Sequence, residues 1–155
     1  MIIHIPRISE DGSRFTGEEP AGILDLANNR LVRVEGPIQY DLFAQVVSHE
    51  LIVNGSLKVR LAVECDRCAE FFSTSAEDSS FLRAYALSEG TETVDLTEDI
   101  REDILVNLPP FPLCSPDCKG LCQQCGKNLN AGPCSCKPRA GGSVGWSELD
   151  KLKLD

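Results

Sequence analysis

From Leu57 to Cys65 the chain reads "LKVRLAVEC": Leu57, Val59, Leu61, Val63 and Cys65 alternate with Lys58, Arg60, Ala62 and Glu64. A period of two predicts a strand buried on one face. Asn54-Gly55 just before it is a turn signal. After Cys68, "AEFFSTSAEDSSFLRAYAL" again carries aromatic, β-branched and small residues in short runs. Two strands of an antiparallel sheet are therefore expected on either side of "CDRC", Cys65 to Cys68. The opening "IIHIPRI" reads as a further strand, followed by a polar loop through Gly17 and a short apolar segment from Ile23 to Leu26.

The period changes at "LTEDIREDILVNLPP". Ile100, Ile104, Leu105 and Leu108 share one helical face, Thr97 is placed to cap, Glu98 and Asp99 suit the first turn, and Pro109-Pro110 ends the run. A helix from Thr97 to Leu108 covering the sheet is predicted. In "WSELDKLKLD", Trp146, Leu149 and Leu152 recur at threes, which predicts a short terminal helix after the connector "AGGSVG". The expected fold class is α+β: an antiparallel β-sheet with one covering helix, a small Cys-rich zinc-binding lobe and a short C-terminal helix. The corresponding units are a main domain over 1–113, the lobe over 114–140, and a linker with helix over 141–155.

Charge adds where, not how, the chain meets partners. The formal net charge is -9, and residues 70–103 hold ten carboxylates against two arginines, while 104–155 hold six cations and four anions. Such a balance lacks the basic face on which nucleic-acid affinity ordinarily rests. It suits solubility or attraction for a basic protein. No run approaches a membrane span or a signal h-region, so a cytoplasmic protein with no membrane contact is expected.

The eight cysteines carry the candidate chemistry. Six fall in "CSPDCKGLCQQCGKNLNAGPCSC", Cys114 to Cys136. In a reducing compartment, short-spaced thiols point to zinc more than to disulfides. Cys114, Cys118, Cys122 and Cys125 offer four thiolates from one stretch, and Gly126 after "CQQC" tolerates the left-handed backbone often needed after a second ligand. Cys65, Cys68, Cys134 and Cys136 would make a second set. Cys122 and Cys125 with Cys134 and Cys136, or with Cys65 and Cys68, are alternatives that spacing does not separate. Eight thiols predict one or two structural zinc ions.

Catalytic constellations are weak. A catalytic zinc wants an open position and nearby acid-base groups, and the two histidines, His4 and His49, lie far from the cluster in sequence. "CDRC" as a redox pair wants a helix starting at its first cysteine, where a hairpin is predicted. Glu98, Asp99, Glu102 and Asp103 fit helix capping and solvation. No catalytic residue and no small-molecule substrate are expected.

The order of "CDRCAEFF", "VDLTEDIREDILVNLPPFPLC", "CKGLCQQCGKNLN" and "WSELDKL" resembles the bacterial YceD family, over about Gly36 to Leu152. The resemblance implies a small factor, without established catalytic activity, that supports 23S rRNA accumulation and large-subunit assembly. It implies roles for Cys65, Arg67 and Cys68, for Pro109 and Pro110, and for Cys114, Cys118, Cys122, Cys125 and Gly126, and it groups those last four cysteines as one site. At the tail, "SVG" stands before Trp146 where the family pattern has Asp-Pro-Arg. The expected partners are a ribosomal protein or large-subunit precursor, with 23S rRNA a further candidate. The expected contact residues are Arg67, Lys119, Lys127, Lys137 and Arg139. A closed tetrathiolate zinc carries a charge of about -2, which offsets those cations and favours a protein partner over free RNA.

Overall fold

In the structure, a computed structural model that describes residues 1–136, the alternation at Leu57 belongs to a longer strand than predicted. β1 (Ile2–His4), β2 (Ser13–Glu19), β3 (Val32–Val34), β4 (Ile38–Val47), β5 (Glu50–Glu64), β6 (Phe71–Ala86) and β7 (Thr93–Asp95) precede α1 (Thr97–Val106), the one α-helix among the described residues. All strand pairings are antiparallel. β5 is the axis of the sheet: β4 pairs with its first part, β3 with Leu61–Val63, and β6 with nearly its whole length, while β2 flanks β4. β1 and β7 form a separate two-stranded ribbon.

Leu51, Val53, Leu57, Val59, Leu61 and Val63 line the buried face of β5 and meet Ile38, Leu42, Ala76 and Phe81 from the neighbouring strands. Ile3, Leu24, Leu96, Ile100 and Ile104 close over them. The predicted opening strand stops at His4, because Pro6 turns the chain into a 3₁₀ turn over Ile5–Arg7. The segment from Ile23 to Leu26 contributes a 3₁₀ turn over Ala21–Leu24 that buries Leu24.

Three local expectations are corrected. The polar stretch through Gly17 is the strand β2, held by its register with β4 rather than by apolar content; Gly17 leaves room for the Tyr40 ring, whose Oη would lie 2.6 Å from an added Cβ. Asn54-Gly55 is not a turn. Gly55 sits inside β5 at φ +153°, where a Cβ would lie 2.1 Å from the Asp41 carbonyl oxygen, so glycine is required by close backbone approach beside a β-bulge. The β4–β5 reversal falls at Ser48-His49 instead, with Ser48 at φ +56°.

Thr97 is the first residue of α1 and makes no cap; Asp95 accepts its backbone N–H at 2.9 Å. Asp99 and Asp103 do more than solvate the helix. Asp99 accepts from Arg83 Nε at 3.1 Å and from Tyr85 Oη at 2.6 Å, and Asp103 lies 3.7 Å from Arg83 Nη2, so α1 is fastened to β6. The terminal helix expected at Trp146 to Leu152 lies outside the described residues.

Asp103 is only 11% exposed and its Oδ2 is buried without a partner. Burial, and then the neighbouring Asp78 carboxylate, push its pKa up to about 6. The proton is thus held more tightly in the folded chain than in the unfolded one, so ionised Asp103 costs stability at neutral pH. That stability returns as the pH falls through about 6 and is complete below the ordinary carboxylate value. Asp103→Asn is expected to be at least as stable as the parent at pH 7 and to lose a gain of about 1–2 kcal/mol between pH 7 and pH 5. Urea midpoints of both proteins at the two pH values check this; a parent that loses stability relative to the variant on acidification contradicts it.

Candidate metal centre

β5 and β6 are joined by a tight knuckle. Cys65 N–H donates to Glu70 O and Ala69 N–H to Cys65 O, both at 2.9 Å, and Ala69 takes a left-handed φ of +56°. This turn buries Cys65 and Cys68, at 2% and 3% exposure, with both thiols directed at the segment that follows α1. Pro112 O accepts from Asp66 N–H at 3.0 Å, and Arg67 O accepts from Leu121 N–H at 2.9 Å. Gly120, at φ +72°, passes over the Arg67 carbonyl, where a Cβ would sit at 3.0 Å. Arg67 Nη1 donates to Pro116 O and Cys118 O, each at 3.2 Å.

The result is a first group made by Cys65, Cys68, Cys114 and Cys118. Cys65 Sγ lies 3.8 Å from Cys118 Sγ, and Cys68 Sγ lies 3.7 Å from Cys114 Sγ. Asn130 Nδ2 donates to Cys118 Sγ at 3.2 Å, while Asn130 Oδ1 accepts Lys119 N–H at 2.8 Å.

The chain then builds a second knuckle at "CQQCG". Gly126 N–H donates to Cys122 O at 2.8 Å, Cys122 N–H to Lys127 O at 2.9 Å, and Gly126 has the left-handed φ of +72° that its position suggested. Cys134 and Cys136 come back to it after a 3₁₀ turn over Leu129–Ala131, and Cys134 Sγ lies 3.4 Å from Cys122 Sγ. Cys122, Cys125, Cys134 and Cys136 form the second group.

The expected division of the cysteines does not hold in this geometry. Cys114 and Cys118 are gathered with Cys65 and Cys68, and Cys122 and Cys125 with Cys134 and Cys136. The pairing of "CQQC" with "CSC" is one of the alternatives that spacing left open. Its cause lies between Cys118 and Cys122: the turn at Gly120, pinned to Arg67, separates the two pairs of thiols. The first group also straddles the boundary expected at 113/114, since each side supplies two ligands.

Both groups fit a tetrahedral cation. Metal–sulfur bonds of about 2.3 Å give a tetrahedron edge of about 3.8 Å. The donor atoms within each group all lie within 4.8 Å of one another. Proton sharing shows the same crowding. Burial raises the Cys65 thiol, but the N–H groups of Cys114, Arg67 and Cys68 outweigh it and hold Cys65 at about 6. N–H groups of Cys125 and Gln124 likewise hold Cys122 at about 6. Hydrogen bonds to Cys118 and Cys125, respectively, push Cys114 and Cys136 up to about 12. Four thiols so close cannot all ionise without a cation between them, and a divalent ion removes that conflict.

His4 and His49 are exposed on β1 and at the β4–β5 turn, and neither joins a group. Among the expected contact residues, Arg67 is committed to the two carbonyls and Lys127 Nζ donates to Pro133 O at 2.9 Å. Lys119 is exposed; Lys137 and Arg139 lie outside the described residues. Asn130 was not singled out from sequence, because a lone asparagine in "NLNAG" carries no signal of a thiolate partner.

Residues 82–153 match the family described as large ribosomal RNA subunit accumulation protein YceD. The family is YceD. The YceD match takes in six of the cysteines and leaves Cys65 and Cys68 outside it. A maize protein named large ribosomal RNA subunit accumulation protein YCED homolog 1, chloroplastic, is 29% identical over 126 residues, covering 81% of this chain and 40% of its own. An uncharacterized protein of Mycobacterium tuberculosis (strain ATCC 25618 / H37Rv) is 32% identical over 110 residues, covering 62% of this chain and 53% of its own. One from Mycobacterium leprae is 29% identical over 111 residues, covering 63% and 51%. The chain thus spans about half the length of the curated relatives it matches first. No solved structure matches it. Among the described residues no helix is long and apolar enough to cross a membrane.

Proposed function

We propose that the chain is a non-catalytic cytoplasmic factor that supports 23S rRNA accumulation and large-subunit assembly by binding a ribosomal protein, alone or together with rRNA. The YceD match carries the assembly part of this reading. Two sets of four thiols support structural zinc, one ion in each, since such sets close the coordination sphere and leave no position for substrate or water. Bound zinc supplies charge neutralisation and cross-linking; the chain's own residues do the positioning. Cys65 and Cys68 anchor the 114–136 segment to the sheet, and Arg67, Gly120 and Asn130 orient it. We keep the division into a main domain over 1–113, a lobe over 114–140 and a tail over 141–155 as part of the proposal, with the first metal group as the joint. The exposed Lys119, with Lys137 and Arg139, remains the proposed contact set of the lobe.

The test is sedimentation of cell extracts in which the full chain is tagged at its native level. The expected result is co-migration with large-subunit precursors, and loss of 23S rRNA relative to 16S rRNA when the protein is depleted. Absence from every precursor fraction, with an unchanged rRNA ratio on depletion, would overturn the assembly reading.

A further inference from the structure

β6 is 16 residues long, and among the described residues its only strand partner is β5. The alternation of an antiparallel ladder tells which backbone groups remain unused. On the far side of β5, Arg60 O accepts from Glu35 N–H and Glu64 N–H donates to Leu31 O, so even-numbered residues of β5 face β3 in this stretch. Its odd residues Val59, Leu61 and Val63 therefore face β6, where they pair with Ala76, Thr74 and Phe72. The backbone N–H and C=O groups of Phe71, Ser73, Ser75 and Glu77 consequently point away from the sheet, and no described backbone group meets them.

This free edge has defined ends. The knuckle closes it at Glu70, whose carbonyl is taken by Cys65 N–H. The bulge closes it beyond Asp78, whose Oδ1 accepts Ser80 N–H at 2.9 Å and so blocks continuation of a ladder. Long open edges ordinarily carry lysine or proline that prevents pairing. Here the span from Phe71 to Glu77 has neither. The carboxylates at this edge are Glu70, Glu77 and Asp78, with Glu35 accepting from Ser73 Oγ at 3.0 Å and Glu64 opposite Phe71. Lys58, paired with Glu77 at 3.0 Å, Arg60 opposite Ser75, and Arg33 over the Phe71 ring offset three of these five. The two arginines of the acidic 70–103 run are engaged, Arg83 with Asp99 and Asp103, and Arg101 with Glu98.

We propose that the open edge of β6 from Phe71 to Glu77 is a docking site for an extended basic segment of a protein partner, which adds to the sheet as a further strand. Backbone pairing supplies the affinity in this mode, and the side chains that alternate along the added strand supply selectivity. The acidic surroundings favour lysine or arginine there and disfavour acidic segments. The basic character of the partner rests on the assembly reading as well as on charge; the open edge does not.

The experiment uses the full chain loaded with zinc and two labelled eight-residue peptides, one alternating Lys and Val, the other Glu and Val. The Lys-Val peptide is expected to bind saturably and to slow hydrogen exchange at the Ser73, Ser75 and Glu77 amides; the Glu-Val peptide is not. Ser75→Pro removes an outward N–H without touching the β5 ladder, and a proline is tolerated in that position of an edge strand. It is expected to weaken Lys-Val binding at least tenfold with zinc content and circular dichroism unchanged. Glu70→Lys with Glu77→Lys, which leaves the backbone alone, should weaken it to a similar degree.

Absent binding, equal binding of both peptides, or full affinity in both variants overturns the proposal. So does a free protein whose Ser73 and Ser75 amides already exchange slowly, because the chain itself would then cover the edge, or a dimer that Ser75→Pro splits. Failure here with intact co-migration with precursors would remove the docking mode and leave the assembly reading. The opposite pattern would do the reverse.

Discussion

Replacing both Cys118 and Cys122 with serine is expected to take the zinc content from two ions per chain to none. The two residues are four apart in sequence, but their sulfurs serve different groups, Cys118 with Cys65, Cys68 and Cys114, and Cys122 with Cys125, Cys134 and Cys136. A neutral serine hydroxyl is a poor substitute for a thiolate ligand. Structural zinc sites contribute apparent binding free energies of about 10–16 kcal/mol, so each loss should release its local fold. Cys118→Ser alone should free the 114–136 segment from the β5–β6 knuckle and expose it to trypsin at Lys119, with β5 and β6 intact. Under the division suggested by the family resemblance the two cysteines would share one ion, and the double variant would keep the other. Elemental analysis of the double variant therefore decides between the two groupings, and retention of one full equivalent would sink the one seen in the structure.

Phe81→Ala is expected to destabilise the sheet by about 3–5 kcal/mol while leaving both metal groups loaded. Phe81 is 1% exposed, sits on the buried face of β6 just past the bulge, and lies beneath the Arg83 guanidinium at 5.2 Å from its ring centre. Truncation leaves a cavity inside the close-packed buried cluster that also takes in Leu96, Ile100 and Ile104, so collapse recovers little of the loss. The cysteine groups lie at the opposite end of β6, beyond the span from Phe71 to Ser80. A lowered urea midpoint with two zinc ions retained is the expected pair of readings. A loss of zinc in step with stability would show that sheet and lobe unfold as one unit.

The two predictions touch features that were legible to different degrees. The buried alternation of β5, the hairpin at "CDRC", the helix face at Ile100 and Ile104, and the knuckle at "CQQCG" follow from short-range periodicity and spacing. In each, neighbours in sequence set the physics: side chains two apart share a strand face, those three or four apart share a helix face, and two thiols separated by two residues can converge. By itself, then, the sequence determined the fold class, the presence of Cys-rich metal-type chemistry, and the YceD resemblance.

The tertiary structure alone decided what depends on distant backbone. Gly55 reads as half of a turn signal until the Asp41 carbonyl is seen against it, and the polar β2 reads as a loop until β4 offers a ladder. Asp99 and Asp103 read as ordinary first-turn and surface acids until Arg83 and Tyr85 arrive from β6. The division of eight cysteines belongs here too. Sulfur proximity is set by the Gly120 turn over Arg67 and by the knuckle 46 residues before Cys114, distances along the chain over which spacing holds no information. Loop closure across such a separation costs only logarithmically more than across a short one, so burial of the knuckle and its hydrogen bonds, rather than nearness in sequence, select the thiols that meet.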